Sequence, residues 1–147
     1  SRIMSLKDGM KKMSKSDPSD LSRINLTDEK DEIFNKIKKA KTDPMSMPTD
    51  VKGLDKRPEA ENLLGIYSSL RNQKLEDSVN EFNRKQFSEF KEKLSEVLIE
   101  KIEPISKEIK KLLNDKRYLD EILLKGSEKA DQIASKKIKE IKKLVGF

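Results

Sequence analysis

Phe87-Ser88-Glu89-Phe90-Lys91-Glu92-Lys93-Leu94-Ser95-Glu96-Val97-Leu98-Ile99-Glu100-Lys101-Ile102 sets the class of fold. Phe87, Phe90, Leu94, Val97, Leu98 and Ile102 recur in steps of mostly three or four, and the row continues through Ile105, Ile109 and Leu112. Side chains at that spacing share one face of an α-helix, so the run predicts a long amphipathic helix. Pro104 interrupts it. A proline lacks the N–H that the helix needs and crowds the preceding turn, so a kink or a split is expected there.

Upstream, Pro58 suits a first helical position, and Leu63, Tyr67 and Leu70 share a face beyond it. A short segment with Leu75, Val79 and Phe82 follows. The stretch 42–57 carries Pro44, Pro48 and Gly53 and reads as a linker. Before it, Ile33, Phe34, Ile37 and Ala40 have helical spacing, with Thr27 as the expected N-cap and acids in the first turn. Downstream, Leu119, Ile122 and Leu123 predict a short helix that Gly126 ends. A last helix carries Ala130, Ile133, Ala134, Ile138, Ile141 and Val145, with Gly146 as its stop. These apolar rows are expected to be core. From residue 27 to 147 the reading is a helical bundle.

Residues 1–26 read differently. Arg2-Ile3-Met4-Ser5-Leu6 is strand-like, and Lys7 to Asp20 reads as a loop with Gly9 and Pro18. A lone strand leaves its backbone groups unpaired, so its sheet is expected elsewhere, and the strand and loop are expected to be mobile without it. The chain begins at Ser1 rather than Met, which suggests a piece of something longer.

Composition narrows the chemistry. The 147 residues hold 33 Lys and Arg against 27 Asp and Glu, a net charge of +6, with 41% charged and 33% hydrophobic residues. That is a lean but foldable composition. With no Cys and no His, thiolate nucleophiles, zinc knuckles and Ser-His-Asp sites are excluded within this chain. The longest apolar stretches, such as Leu63-Leu64-Gly65-Ile66-Tyr67, are too short to span a bilayer.

Lys12-Met13-Ser14-Lys15-Ser16 carries the chemistry. Two lysines three apart can reach different oxygens of a polyphosphate, and the hydroxyls and loop N–H groups add donors to the same anion. Such a set suits a reaction in which negative charge moves onto a leaving pyrophosphate.

The pentapeptide resembles the signature loop of class I aminoacyl-tRNA synthetases. Its flanks, Arg2-Ile3-Met4-Ser5-Leu6 and Asp17-Pro18, resemble the tryptophanyl-tRNA synthetase family. So do Lys36-Ile37-Lys38-Lys39-Ala40-Lys41-Thr42-Asp43 and Arg57-Pro58-Glu59-Ala60-Glu61-Asn62-Leu63-Leu64-Gly65-Ile66-Tyr67. Phe87-Ser88-Glu89-Phe90-Lys91, Glu103-Pro104-Ile105, Gly126-Ser127-Glu128-Lys129-Ala130 and Val145-Gly146-Phe147 extend the likeness along the chain. The linker is most similar to the bacterial and organellar branch. Asn83-Arg84-Lys85-Gln86 departs from it, where the family usually has a glycine-rich turn.

The resemblance implies the C-terminal half of such an enzyme. Residues 1–26 would be the last strand and signature loop of a Rossmann-like nucleotide-binding domain that is otherwise absent, and 27–147 an anticodon-binding helical domain. It implies ATP as co-substrate, with Mg2+ accompanying it and no metal ligand identifiable here. Lys12 and Lys15 would grip the pyrophosphate portion, Ser14 and Ser16 would add hydrogen bonds, and Ile3 and Met13 would lie by the adenine or ribose. The partners implied are tRNA(Trp), tryptophan, whose pocket would lie in the missing half, and a second subunit. The site would be cytoplasmic, or an organellar matrix in a eukaryote. Lys110, Lys111 and Arg117 are candidates for tRNA contact, although acids interleave with them and a solvated face is the plainer reading. Two other readings compete: a freestanding basic helical module that binds RNA without catalysis, and a helical interaction bundle with a coincidental Lys/Ser loop. The strand-like run speaks against both, since a freestanding bundle has no use for an orphan strand.

Overall fold

A computed structural model describes residues 2–146; Ser1, and Phe147 of the family-like ending, lie outside the described residues. The elements are β1 (Met4–Ser5), β2 (Asp8–Lys12), α1 (Lys30–Lys38), α2 (Pro58–Arg71), α3 (Leu75–Glu81), α4 (Phe87–Asn114) and α5 (Lys116–Leu144). Short 3-10 turns lie at Asp20–Ser22 and Val51–Leu54. The chain is mainly α, as its periodicity predicts. It forms two compact units, divided between Lys107 and Glu108.

In the first unit the strand-like run is shorter than expected, and its partner is local. β1 pairs antiparallel with β2, with Met4 opposite Lys12 and Ser5 opposite Asp8. Residues 8–12, read from sequence as loop, are therefore strand. Met4 and Leu6 find further backbone partners within the chain as well. The Asn62 carboxamide accepts from Met4 N at 2.8 Å and donates to Met4 O at 2.9 Å, so one side chain of α2 takes the place of a neighbouring strand. Leu6 N donates to Ser22 O at 2.9 Å, and Lys41 N donates to Leu6 O at 2.7 Å. Leu6 is buried in the core. The strand is therefore not a lone one within this chain: β2, Asn62, Ser22 and Lys41 supply local partners. Gly9 permits the fit. A Cβ there would stand 2.6 Å from Pro58 C and Glu59 N, so the hairpin can press against the start of α2 only without a side chain.

α1 starts at Lys30 with Glu29, not Thr27, as N-cap. Glu29 and Glu32 form a reciprocal capping box, which satisfies two orphan N–H groups at once and so outcompetes a single threonine hydroxyl. Ile33, Ile37 and Ala40 are buried, whereas Phe34 is exposed. α2 opens on Pro58, as expected. Its Tyr67 meets Phe82 and Phe90 edge-on, with ring centroids 5.1 and 5.9 Å away, and Phe82 and Phe90 lie 4.8 Å apart. This aromatic triad fixes α2, the end of α3 and the first turns of α4 against one another.

The 42–57 segment is packed rather than slack. Met47 and Leu54 are buried, and Arg57 holds Asp43 with a two-pronged pair at 2.8 and 2.9 Å and donates to Ser46 O at 3.0 Å. Before α4, Arg84 adopts φ 58°, so a non-glycine residue takes up a left-handed position there. α4 then continues through Pro104 as one helix instead of splitting. Only one backbone donor is lost there, and Ile102 and Ser106, on either side, stay buried.

The second unit consists of the end of α4 and α5. Gly126 does not end a helix: α5 runs from Lys116 to Leu144 as one element. A glycine inside a helix costs about 1 kcal/mol relative to Ala, which the long flanking segments absorb. The stop comes at Gly146, where φ is +86°, as expected. No residue of α5 is buried, so Ile122, Leu123, Ile133, Ile138 and Ile141 lie on an exposed face and the expectation of core for this row is corrected. Periodicity specifies which face is apolar; it does not supply a covering element.

Candidate functional site

Lys12 closes β2, and the hairpin register puts it opposite Met4. Met13 N donates to Ile3 O at 3.1 Å, and the Met13 side chain packs against the core. The loop is thereby tied on its upstream side. Ile3 itself is exposed. Beyond Met13 the chain turns tightly, with Asp17 N donating to Ser14 O at 3.3 Å. The hydroxyls of Ser14 and Ser16 lie 3.0 Å apart, and Ser16 N donates to Ser14 Oγ at 3.3 Å. Lys12, Ser14, Lys15 and Ser16 are all exposed.

The charges around the loop are unequally engaged. Lys11 pairs with Asp8 at 3.5 Å. Among the described residues neither Lys12 nor Lys15 has an acidic partner. Two ammonium groups and two hydroxyls on the exposed Lys12–Ser16 segment, with no carboxylate to neutralise them, are donors that an anion could take up. The same donor set does not fit a metal ion. Among the described residues no group of three or more Asp or Glu is placed to hold one.

Downstream, Arg23 Nη1 donates to Asp17 O at 2.9 Å. Its other nitrogens reach Asp20 at 3.0 Å and Asn25 at 3.1 Å. Asp20 in turn meets Lys36 Nζ at 2.6 Å, and the same ammonium meets Asp28 at 2.6 Å. Lys36 and Asp28 are buried. Burial pushes the Lys36 ammonium down, but its hydrogen bonds to Asp20 and Asp28 outweigh this and hold its pKa above the usual lysine value. The Lys36 hydrogen bond, helped by Asn25, holds the Asp20 carboxyl below the usual carboxylate range.

A cavity of about 510 Å³ lies beside the hairpin, lined by Ile3, Met4 and Met10 on one side and Glu61, Asn62 and Ile66 on the other. Of the expected site residues it takes in Ile3 alone. The structure thus joins Ile3 to Met13 through a backbone hydrogen bond, and leaves Ser14, Lys15 and Ser16 on an exposed turn, with Lys12 exposed at the end of β2. Lys110 and Lys111 lie on the last turns of α4, and Arg117 on the first turn of α5. Lys111 is 3.5 Å from Glu108 and Arg117 3.3 Å from Glu121, which fits a solvated face with local pairing.

The family of tRNA synthetases class I (W and Y) matches residues 1–103. The chain belongs to this family. It is 53% identical over 146 residues to a tryptophan–tRNA ligase of Agrobacterium fabrum, matching 99% of this chain and 41% of that protein. A tryptophan–tRNA ligase of Rickettsia felis is 52% identical, again over 99% of this chain and 44% of its own length. The chain thus spans less than half the length of these relatives. The crystal structure of tryptophanyl-tRNA synthetase from Mycoplasma pneumoniae matches 96% of this chain and 44% of its own, with a TM-score of 0.69 at 24% identity, a likeness of fold.

Within this class I synthetase chain, sequence reading missed Arg23, Lys36 and Asn62 as parts of the site. Arg23 and Lys36 are two among 33 basic residues, and nothing in spacing marks them as inward-facing. Asn62 carried a faint signal: an amide amid Leu63-Leu64, on a helix otherwise turned to the core.

Proposed function

We propose that this chain is the C-terminal part of a tryptophan–tRNA ligase, which activates tryptophan with ATP and transfers it to tRNA(Trp). The observation that carries the reading is the exposed Lys12–Ser16 segment with two unpaired lysines, tied at Met13 and Asp17, in a chain of this family. In this reading Lys12 and Lys15 hold the departing pyrophosphate as in-line attack proceeds at the α-phosphate. Ser14 and Ser16 exchange their mutual hydrogen bond for bonds to phosphate oxygens. Ile3 and Met13, already joined through the backbone, lie toward the adenosine. Magnesium would accompany the ATP phosphates rather than sit on side chains of this segment. The N-terminal part would hold the tryptophan pocket, and the whole enzyme would act as a dimer in the cytoplasm or an organelle matrix. Lys110, Lys111 and Arg117 would face tRNA. Among the described residues no helix is long and apolar enough to cross a membrane.

The hairpin removes the orphan strand as a discriminator against a freestanding RNA-binding module. The family match favours the ligase instead. The test is exchange of labelled pyrophosphate into ATP by the full-length protein. Exchange that depends on tryptophan is expected, and none from residues 1–147 alone. Exchange driven by tyrosine, or by neither amino acid, would overturn the reading.

A further inference from the structure

We propose that Lys36 is a positioning residue for the Lys12–Ser16 loop, acting through Asp20 and Arg23; this rests on the ligase reading above. The physical path is short. Lys36 stands on α1, buried, with Nζ 2.6 Å from Asp20 and 2.6 Å from Asp28. Asp20 also accepts from Arg23 at 3.0 Å and from Asn25 Nδ2 at 3.0 Å. Arg23 then donates to the carbonyl of Asp17, the residue that follows Ser16, at 2.9 Å. On the other side the loop is fixed at Met13 by the hydrogen bond to Ile3 O. Between these two anchors only Ser14, Lys15 and Ser16 are free to place an ammonium and two hydroxyls.

A buried ion pair is poor evidence for stability, because desolvation consumes most of the Coulombic gain and an apolar replacement is often neutral. Its distinctive property is geometry: it fixes where two elements meet. Here the elements are a core helix, whose Ile33 and Ile37 are fully buried, and the downstream end of an exposed turn. Asp28 strengthens the device. Its carboxylate accepts from Asn25 N at 2.8 Å and Asn25 Nδ2 at 3.1 Å, so Lys36 is clamped between two carboxylates that are themselves held by one asparagine. A loop that must present Lys15 to a phosphate oxygen is sensitive to such a base, since misplacement by about 1 Å can cost on the order of 100-fold in rate.

The test is a double-mutant cycle in the full-length protein, read by tryptophan-dependent pyrophosphate exchange. Lys36→Met keeps the stem and removes the charge; it should lower kcat about 10- to 100-fold with the KM for tryptophan unchanged. Asp20→Asn removes only the half-exposed partner and leaves the Lys36–Asp28 pair, so it folds even where Lys36→Met does not. Its loss should be about 3- to 10-fold. On a Lys15→Ala background each substitution should lose most of its effect, because the group it positions is gone. Equal fold-losses in both backgrounds would overturn the inference and leave the ligase reading standing. A Lys15→Ala enzyme that exchanges at the wild-type rate would overturn the assignment of the loop itself, and the inference with it.

Discussion

Replacing Lys15 or Lys12 by alanine in the full-length protein isolates what the loop contributes. Both side chains are exposed and, among the described residues, neither has an acidic partner. No internal ion pair therefore has to break when a phosphate arrives, and the whole interaction is available to the reaction. At about 4 Å from a unit of phosphate charge, and at an effective dielectric constant of about 20, one ammonium interacts by roughly 4 kcal/mol. Part of that is already present in bound ATP; the part that counts is the gain as charge moves onto pyrophosphate. A loss of roughly 2–4 kcal/mol of transition-state stabilisation follows, or about 30- to 1000-fold in the rate of adenylate formation. Rapid-quench measurement of adenylate, with tryptophan affinity measured separately, reads the two effects apart. Tryptophan affinity should hardly change, and Lys→Arg should recover only part of the rate, since a planar fork does not replace a point charge. Lys11 is the internal control. It is adjacent in sequence but already 3.5 Å from Asp8, so Lys11→Ala should change the rate less than about twofold. If Lys11→Ala lost as much as Lys12→Ala, or if Lys15→Ala weakened tryptophan and adenylation equally, the phosphate-gripping role would be refuted.

Two further outcomes probe the scaffold. Gly9→Ala should destabilise the full-length protein by about 1–3 kcal/mol, since the new Cβ meets Pro58 and Glu59 backbone at 2.6 Å; an unchanged denaturant midpoint would show that the hairpin can lift off α2 at no cost. Tyr67, buried and bonded to Glu81 at 2.8 Å, has its phenol pushed up to about 12, first by burial and then by that carboxylate. A pKa raised on folding contributes stability that is complete below the unfolded value near 10 and is lost as pH rises through 12. Alkaline titration should therefore remove roughly 2–3 kcal/mol over that interval, and Tyr67→Phe should abolish this dependence.

Helices whose apolar residues meet a core were legible in the sequence to within a residue or two. Pro58 and the Leu63–Tyr67 face of α2, and the Phe87–Ile102 row of α4, follow directly from spacing. The misses share a cause: each depends on a partner remote in sequence or on competition between two local signals. Residues 8–12 read as loop until Pro58 is seen against Gly9. Thr27 looks like a cap until Glu32 reaches back to Glu29. Gly126 looks like a stop, but a helix ends only where some residue leaves the helical region, and that residue is Gly146. The α5 row shows the converse limit, an apolar face written correctly in the sequence with nothing of the unit covering it.

The lysines proposed for the loop could be singled out from sequence because their chemistry is local, whereas their supports could not. A chain without His or Cys has no imidazole base or thiolate to offer, so in the ligase reading this loop acts through position and charge. Charge is visible in a pentapeptide. Position is held by Asn62 reaching back to Met4, by Gly9 yielding space to Pro58, and by Lys36 and Arg23 relaying from α1 to Asp17. The longest of these contacts, Asn62 to Met4, joins residues 58 apart in sequence. In a site of this kind the supporting residues carry as much of the mechanism as the lysines do, because an unpaired ammonium on a loose turn stabilises the ground state and the transition state almost alike, and only a fixed one discriminates between them.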